Sequence, residues 1–193
     1  MRLVRRLWTE DSVTSAGENF RVADSTVVPR IQVRGDRRHP KFYVGGASEA
    51  AERVAATEAD VQLFWGEPLD GVRERVDWLK AEPGTGPRSP AAGIRPADND
   101  AGQGHQRTLA VGQQRLLELN ERGDVLDDNL YTAPGKFGGG GAGTTWLVGS
   151  AEDVARSLHK YQDLGITRFV LSDTAYLSEI KRQGDQLLPL LRG

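Results

Sequence analysis

The chain has 193 residues, enough to bury a core, and one domain is the expectation from length. Its 25 basic and 27 acidic side chains leave a formal charge of -2, so no overall field favours nucleic acid or an anionic membrane as partner. Cysteine is absent, which excludes disulfides, thiolate metal sites and a cysteine nucleophile, and no stretch approaches the ~18 apolar residues of a membrane span, so a cytoplasmic protein without a metal is expected.

Leu3, Val4, Leu7 and Trp8 recur at helical spacing and predict a helix over 2–9. Residues 10–40 carry Asp11, Gly17, Asp24, Pro29, Gly35 and Pro40 among runs such as Thr26-Val27-Val28, the pattern of an extended excursion with turns. Arg34, Asp36, Arg37, Arg38 and His39 form a charged cluster there that reads as a solvated loop. The next unit is clearer: a strand over 41–45, a helix over 48–57, a buried strand over 61–66 and, after Pro68, a helix over 69–80. Leu69, Val72, Val76 and Leu79 make its apolar stripe, with Arg73, Glu74, Arg75 and Asp77 assigned to the wet side. Alternating strands and helices imply a parallel sheet with right-handed crossovers.

Proline and glycine then punctuate 83–106, which reads as a flexible linker in which only Ala91-Ala92-Gly93-Ile94-Arg95 hints at a strand. A helix over 108–122 follows, with Leu109, Leu116 and Leu119 inward and Gly123 as its C-terminal cap. Ser150, with Asp153 three residues later, predicts a capped helix with Val154, Leu158 and Tyr161 on one face. A buried strand is expected over 166–172 and a terminal helix over about 177–191, with Pro189 at its fraying end.

Two glycine clusters carry the candidate chemistry: Gly45-Gly46-Ala47-Ser48 between a strand and a helix, and Gly138-Gly139-Gly140-Gly141-Ala142-Gly143-Thr144. Glycine lets the backbone turn sharply and approach a ligand, and Ser48 is a favoured N-cap beside unpaired helix amides. The first cluster therefore reads either as an ordinary capped loop or as a phosphate site at a helix start.

Several ordered motifs resemble the bacterial luciferase-like, FMNH2-dependent alkanesulfonate monooxygenases: the run from Lys41 through Ala51, Phe64-Trp65-Gly66-Glu67-Pro68, Val111-Gly112-Gln113-Gln114-Arg115, Gly140-Gly141-Ala142-Gly143-Thr144 and Phe169-Val170-Leu171-Ser172. The resemblance implies an α/β fold, a partial (β/α)8 barrel in one incomplete domain over 1–193. It would hold about strands five to eight, strand seven damaged and replaced in part by the 83–106 linker. A complete barrel of this kind needs roughly 250 residues.

By the same resemblance Gly46, Ala47 and Ser48 hold the phosphate of FMN, Arg95 meets a sulfonate or flavin-bound oxygen, and Gly140, Gly141, Ala142, Gly143 and Thr144 belong to a lid, while Tyr176, standing where the family has a different residue, is the candidate hydrogen-bond donor after the last strand. The implied reaction uses FMNH2 and dioxygen to release sulfite and an aldehyde from a small organic sulfonate, with a flavin reductase as a partner. Departures from the pattern fall at Pro96-Ala97, Gly139, Thr174 and Tyr176, and no role is assigned to His39, His105 or His159. Two readings follow: a monooxygenase, or a catalytically inactive truncated homologue or interaction remnant. Open strand edges predict a homo-oligomer or pairing with a missing N-terminal half.

Overall fold

The computed structural model describes residues 1–80, 111–136, 145–171 and 175–192. Helix α1 (Arg2–Thr9) leads into an antiparallel hairpin of β1 (Val13–Ala16) and β2 (Arg21–Ser25). Then come β3 (Tyr43–Gly45), α2 (Glu49–Glu58), β4 (Val61–Leu63) and α3 (Leu69–Lys80). Strands β3 and β4 are parallel, pairing Tyr43 with Val61, Val44 with Gln62 and Gly45 with Leu63, so α2 is the crossover predicted by the alternation. Helix α4 (Val111–Arg122) is followed by β5 (Val125–Leu126), β6 (Leu130–Tyr131), a 3-10 turn (Ala133–Lys136) and β7 (Trp146–Leu147). The last three strands form a small antiparallel sheet in the order β5-β6-β7. Helix α5 (Ala151–Asp163), α6 (Tyr176–Arg182), a π turn (Gln183–Leu187) and α7 (Leu188–Arg192) complete the described chain.

Local signals account for the boundaries. Ser150 accepts from the Asp153 amide at 3.2 Å while Asp153 accepts from the Ser150 amide at 3.1 Å, so the capping box at the start of α5 is complete and contributes about 1 kcal/mol. Gly123 has a φ of +143° directly after α4, in keeping with its expected capping place. Pro189 lies in the first turn of α7, after the π turn in which the Leu188 amide bonds the Gln183 carbonyl, so it continues the helical run rather than ending it.

Packing centres on α3 and α5. Val72, Val76 and Tyr161 form one buried cluster with Phe64, Leu69, Leu164, Ile166 and Phe169 against it. Ala155, Leu158 and Leu187 form a second, to which Phe169 also belongs, so that ring joins the two. Burying a side chain such as Leu158 contributes about 2 kcal/mol. Helix α1 is held to the end of α2 by Arg5, which donates to Glu58 Oε2 at 3.0 Å, and Trp8 stacks on Phe42 with centroids 5.2 Å apart.

No closed barrel forms among the described residues; the parallel sheet has two strands, and the other two sheets are antiparallel. Two expectations are corrected. Residues 166–171 join no ladder: Ile166 and Phe169 turn inward at a spacing of three while Val170 is 86% exposed, because a strand needs a neighbour and this run instead packs along the α3 and α5 clusters. Arg75, assigned to water, is 3% exposed. The linker expected over 83–106 lies outside the described residues.

Asp60 ties the start of the parallel unit. It accepts from the Phe42 amide at 2.8 Å and from Arg37 at 2.7 Å, and these bonds, Arg37 first, hold its carboxyl below the ordinary 3.8. A carboxylate favoured in the folded state stabilises fully above its unfolded value and loses that contribution as pH falls through the lower folded value. Asp60→Asn should therefore unfold at lower urea than wild type at pH 7, with the difference shrinking below about pH 3.8. Parallel denaturation curves across pH check this, and a difference independent of pH would count against it.

Candidate functional site

The glycine turn emerges from the C-terminal end of β3. Gly46 has a φ of +142°, a backbone region open to glycine, and a Cβ there would lie 2.6 Å from Ala51 Cβ. The turn is thus pressed against the first turn of α2. Ala47 is buried, and Ser48 caps the helix by accepting from the Ala51 amide at 3.3 Å. Helix geometry leaves the Glu49 and Ala50 amides without intrahelical acceptors.

Beneath the turn sits a buried ionic cluster. Arg75 Nη2 donates to the Gly46 carbonyl at 3.1 Å, and Gln62 Nε2 donates to the same oxygen at 3.2 Å. Arg75 Nη1 donates to Glu67 Oε1, and its Nε lies 2.8 Å from Glu52 Oε1, an ionic contact off the hydrogen-bond axis. Arg115, from α4, adds longer contacts to Glu52 at 3.9 Å and Glu67 at 3.7 Å. The Arg75 guanidinium also stands 4.6 Å from the Phe64 ring centroid. Glu52 and Glu67 are buried, and burial pushes the Glu52 carboxyl up against the opposing pull of Arg75 and then Arg115. Tyr161 donates to the Glu67 carbonyl at 2.8 Å, and burial raises its phenol.

The first-turn acids of α2 are thereby neutralised, Glu52 by the cluster and Glu49 by Arg53. Positive helix-end amides then face outward with no uncompensated carboxylate behind them, an arrangement suited to an anion. Near the same end of the sheet, Thr145 Oγ1 donates to the Gly66 carbonyl, just past β4.

A luciferase-like monooxygenase family profile matches residues 1–168. The chain belongs to that family. Of the residues that resemblance to its alkanesulfonate branch singled out, Gly46, Ala47 and Ser48 lie together at the α2 start. Tyr176 is not brought into a polar site: it is 67% exposed at the start of α6, its hydroxyl without a hydrogen-bond partner among the described residues. Arg95, Gly140, Gly141, Ala142, Gly143 and Thr144 fall outside the described residues, as do Gly139, Thr174 and His105. His39 stacks loosely on Trp8, and His159 bonds Gln162 on the surface.

A cleft of about 500 Å³ opens elsewhere on this luciferase-like chain, lined by Arg5, Thr9, Glu10 and residues 36–39. Two of its cations are already paired, Arg5 with Glu58 and Arg37 with Asp60. Among the described residues no group of histidines or carboxylates could hold a metal ion, and no helix is long and apolar enough to cross a membrane. Sequence reasoning missed Glu52, Gln62, Glu67, Arg75 and Arg115. The available signal was Arg75 standing three residues after Val72 on the inward face of α3.

Proposed function

We propose that the Gly46–Ser48 turn binds the phosphate of FMN, and that the chain contributes this cofactor end to an FMNH2- and dioxygen-dependent monooxygenase of the alkanesulfonate type. The observation that carries the reading is the turn itself: a glycine at φ +142°, a capping serine and two helix-start amides without intrahelical partners, above first-turn acids already neutralised. These residues fit a phosphate. The Ser48 oxygen accepts from Ala51, which leaves its own proton to donate to a phosphate oxygen, while Glu49 and Ala50 supply amides. Bound FMN in its reduced form would supply two electrons to dioxygen, one oxygen atom ending in the aldehyde and the other in water as sulfur leaves as sulfite.

The chain's share of that chemistry is binding and orientation. Arg95 is proposed to meet the sulfonate anion, as a guanidinium matches such an oxyanion, and 140–144 to cover the site, the next residue, Thr145, donating to the Gly66 carbonyl. A flavin reductase is the proposed source of FMNH2.

Exposure of Tyr176 favours a second reading, a flavin-binding or interaction module without turnover. Tyr43, Leu63 and Trp65 are exposed on and beside a parallel sheet of two strands, which supports association with another copy or with a separate N-terminal half. The test is a fluorescence titration of FMN, oxidised and then anaerobically reduced, with the purified chain. Saturable quenching at micromolar protein is expected. Absence of quenching in both redox states would overturn the cofactor assignment, and sulfite release with and without added reductase and N-terminal half separates the two readings.

A further inference from the structure

We infer that Arg75 is a positioning residue for phosphate recognition, an assignment that rests on the Gly46–Ser48 turn being the FMN phosphate site. A carbonyl and the N–H of the next residue belong to one planar trans unit and point in opposite directions. Arg75 Nη2 at 3.1 Å and Gln62 Nε2 at 3.2 Å both hold the Gly46 oxygen on the protein side. The Ala47 N–H is thereby aimed the other way, and it has no hydrogen-bond partner among the described residues.

The guanidinium does a second thing at the same point. Glu52 and Glu67, both buried, would set two negative charges behind a phosphate-binding turn, and Arg75 contacts both carboxylates. One planar group thus sets the direction of the turn's amide and, together with Arg115, offsets the charge that would repel the anion. Lysine cannot reproduce this, because a single ammonium does not span two carboxylates and a carbonyl with the fixed fork of a guanidinium.

The test compares FMN with riboflavin, which shares the ring and lacks the phosphate, by fluorescence titration of wild type, Arg75→Lys and Gln62→Met. Wild type should prefer FMN. The preference should fall about tenfold in Arg75→Lys, the scale of one lost charge-assisted hydrogen bond, and less in Gln62→Met, with riboflavin affinity held in both. An unchanged preference in Arg75→Lys, or equal weakening of both flavins, overturns the assignment and leaves Arg75 as a packing residue. A wild type that does not prefer FMN overturns the phosphate reading itself, and the assignment with it. Circular dichroism reports whether each variant is folded; should Arg75→Lys not fold, a preference retained in Gln62→Met overturns the pinning of the Gly46 carbonyl and a lowered one supports it.

Discussion

Arg75→Met is expected to lower unfolding stability by about 3–5 kcal/mol at pH 7, the cost of leaving a buried charge without its partner. Glu52 is 2% exposed and Glu67 7%, so neither carboxylate can turn to water when the guanidinium is removed. Arg115 remains, but its nitrogens stand 3.7–3.9 Å away and compensate weakly. The sign of the pH dependence follows from Glu52. Burial already lifts its carboxyl above the ordinary 4.5, and losing Arg75 removes the main opposing pull, so the folded variant takes up a proton more readily than the unfolded one. Stability of the variant should therefore rise as pH falls through the folded value toward about 4.5, with no further gain from this group below it. Urea denaturation at pH 7 and pH 5 measures it. A loss of equal size at both would mean that Glu52 is not the orphaned charge, and adding Glu52→Gln to Arg75→Met should recover part of the loss at pH 7 if it is.

What was legible in the sequence was what neighbouring residues decide among themselves. Helix α3 begins and ends where Pro68 and the apolar stripe place it, and α5 begins where a serine and an aspartate three residues apart satisfy each other's amides. The parallel pairing of β3 with β4 follows from two apolar runs joined by a helix. The ionic cluster was not legible, because Arg75 is paired with carboxylates on other elements and a charged residue read alone goes to water. Nor were β5, β6 and β7, whose two-residue ladders are too short to alternate. The apolar composition of 166–171 matched a buried strand, but whether such a run becomes one depends on a neighbour that its own sequence does not specify. For the candidate site, the turn was readable from glycine and an N-cap. The means of holding it was not.

Gly46→Ala should cost about 2–4 kcal/mol and abolish preferential FMN binding, whereas Gly45→Ala, one residue earlier, should be close to neutral. The contrast is geometric. A Cβ on Gly45 would sit 3.9 Å from Leu63 Cβ, an ordinary contact, while one on Gly46 would meet Ala51 Cβ at 2.6 Å and adopt a φ of +142°. Two separate costs are combined at Gly46, the strained backbone and the collision with α2, and a cycle with Ala51→Gly divides them. Removing the Ala51 methyl relieves the collision and leaves the strain, so the double variant should regain about 1–2 kcal/mol over Gly46→Ala after the helix cost of the new glycine is subtracted. Thermal and urea unfolding supply the energies, and FMN titration supplies the function. Recovery of stability without recovery of FMN preference would show that phosphate recognition depends on the direction of the turn rather than on its fit against the helix. A fully stable Gly46→Ala protein would mean that the turn does not need the conformation on which the flavin assignment stands.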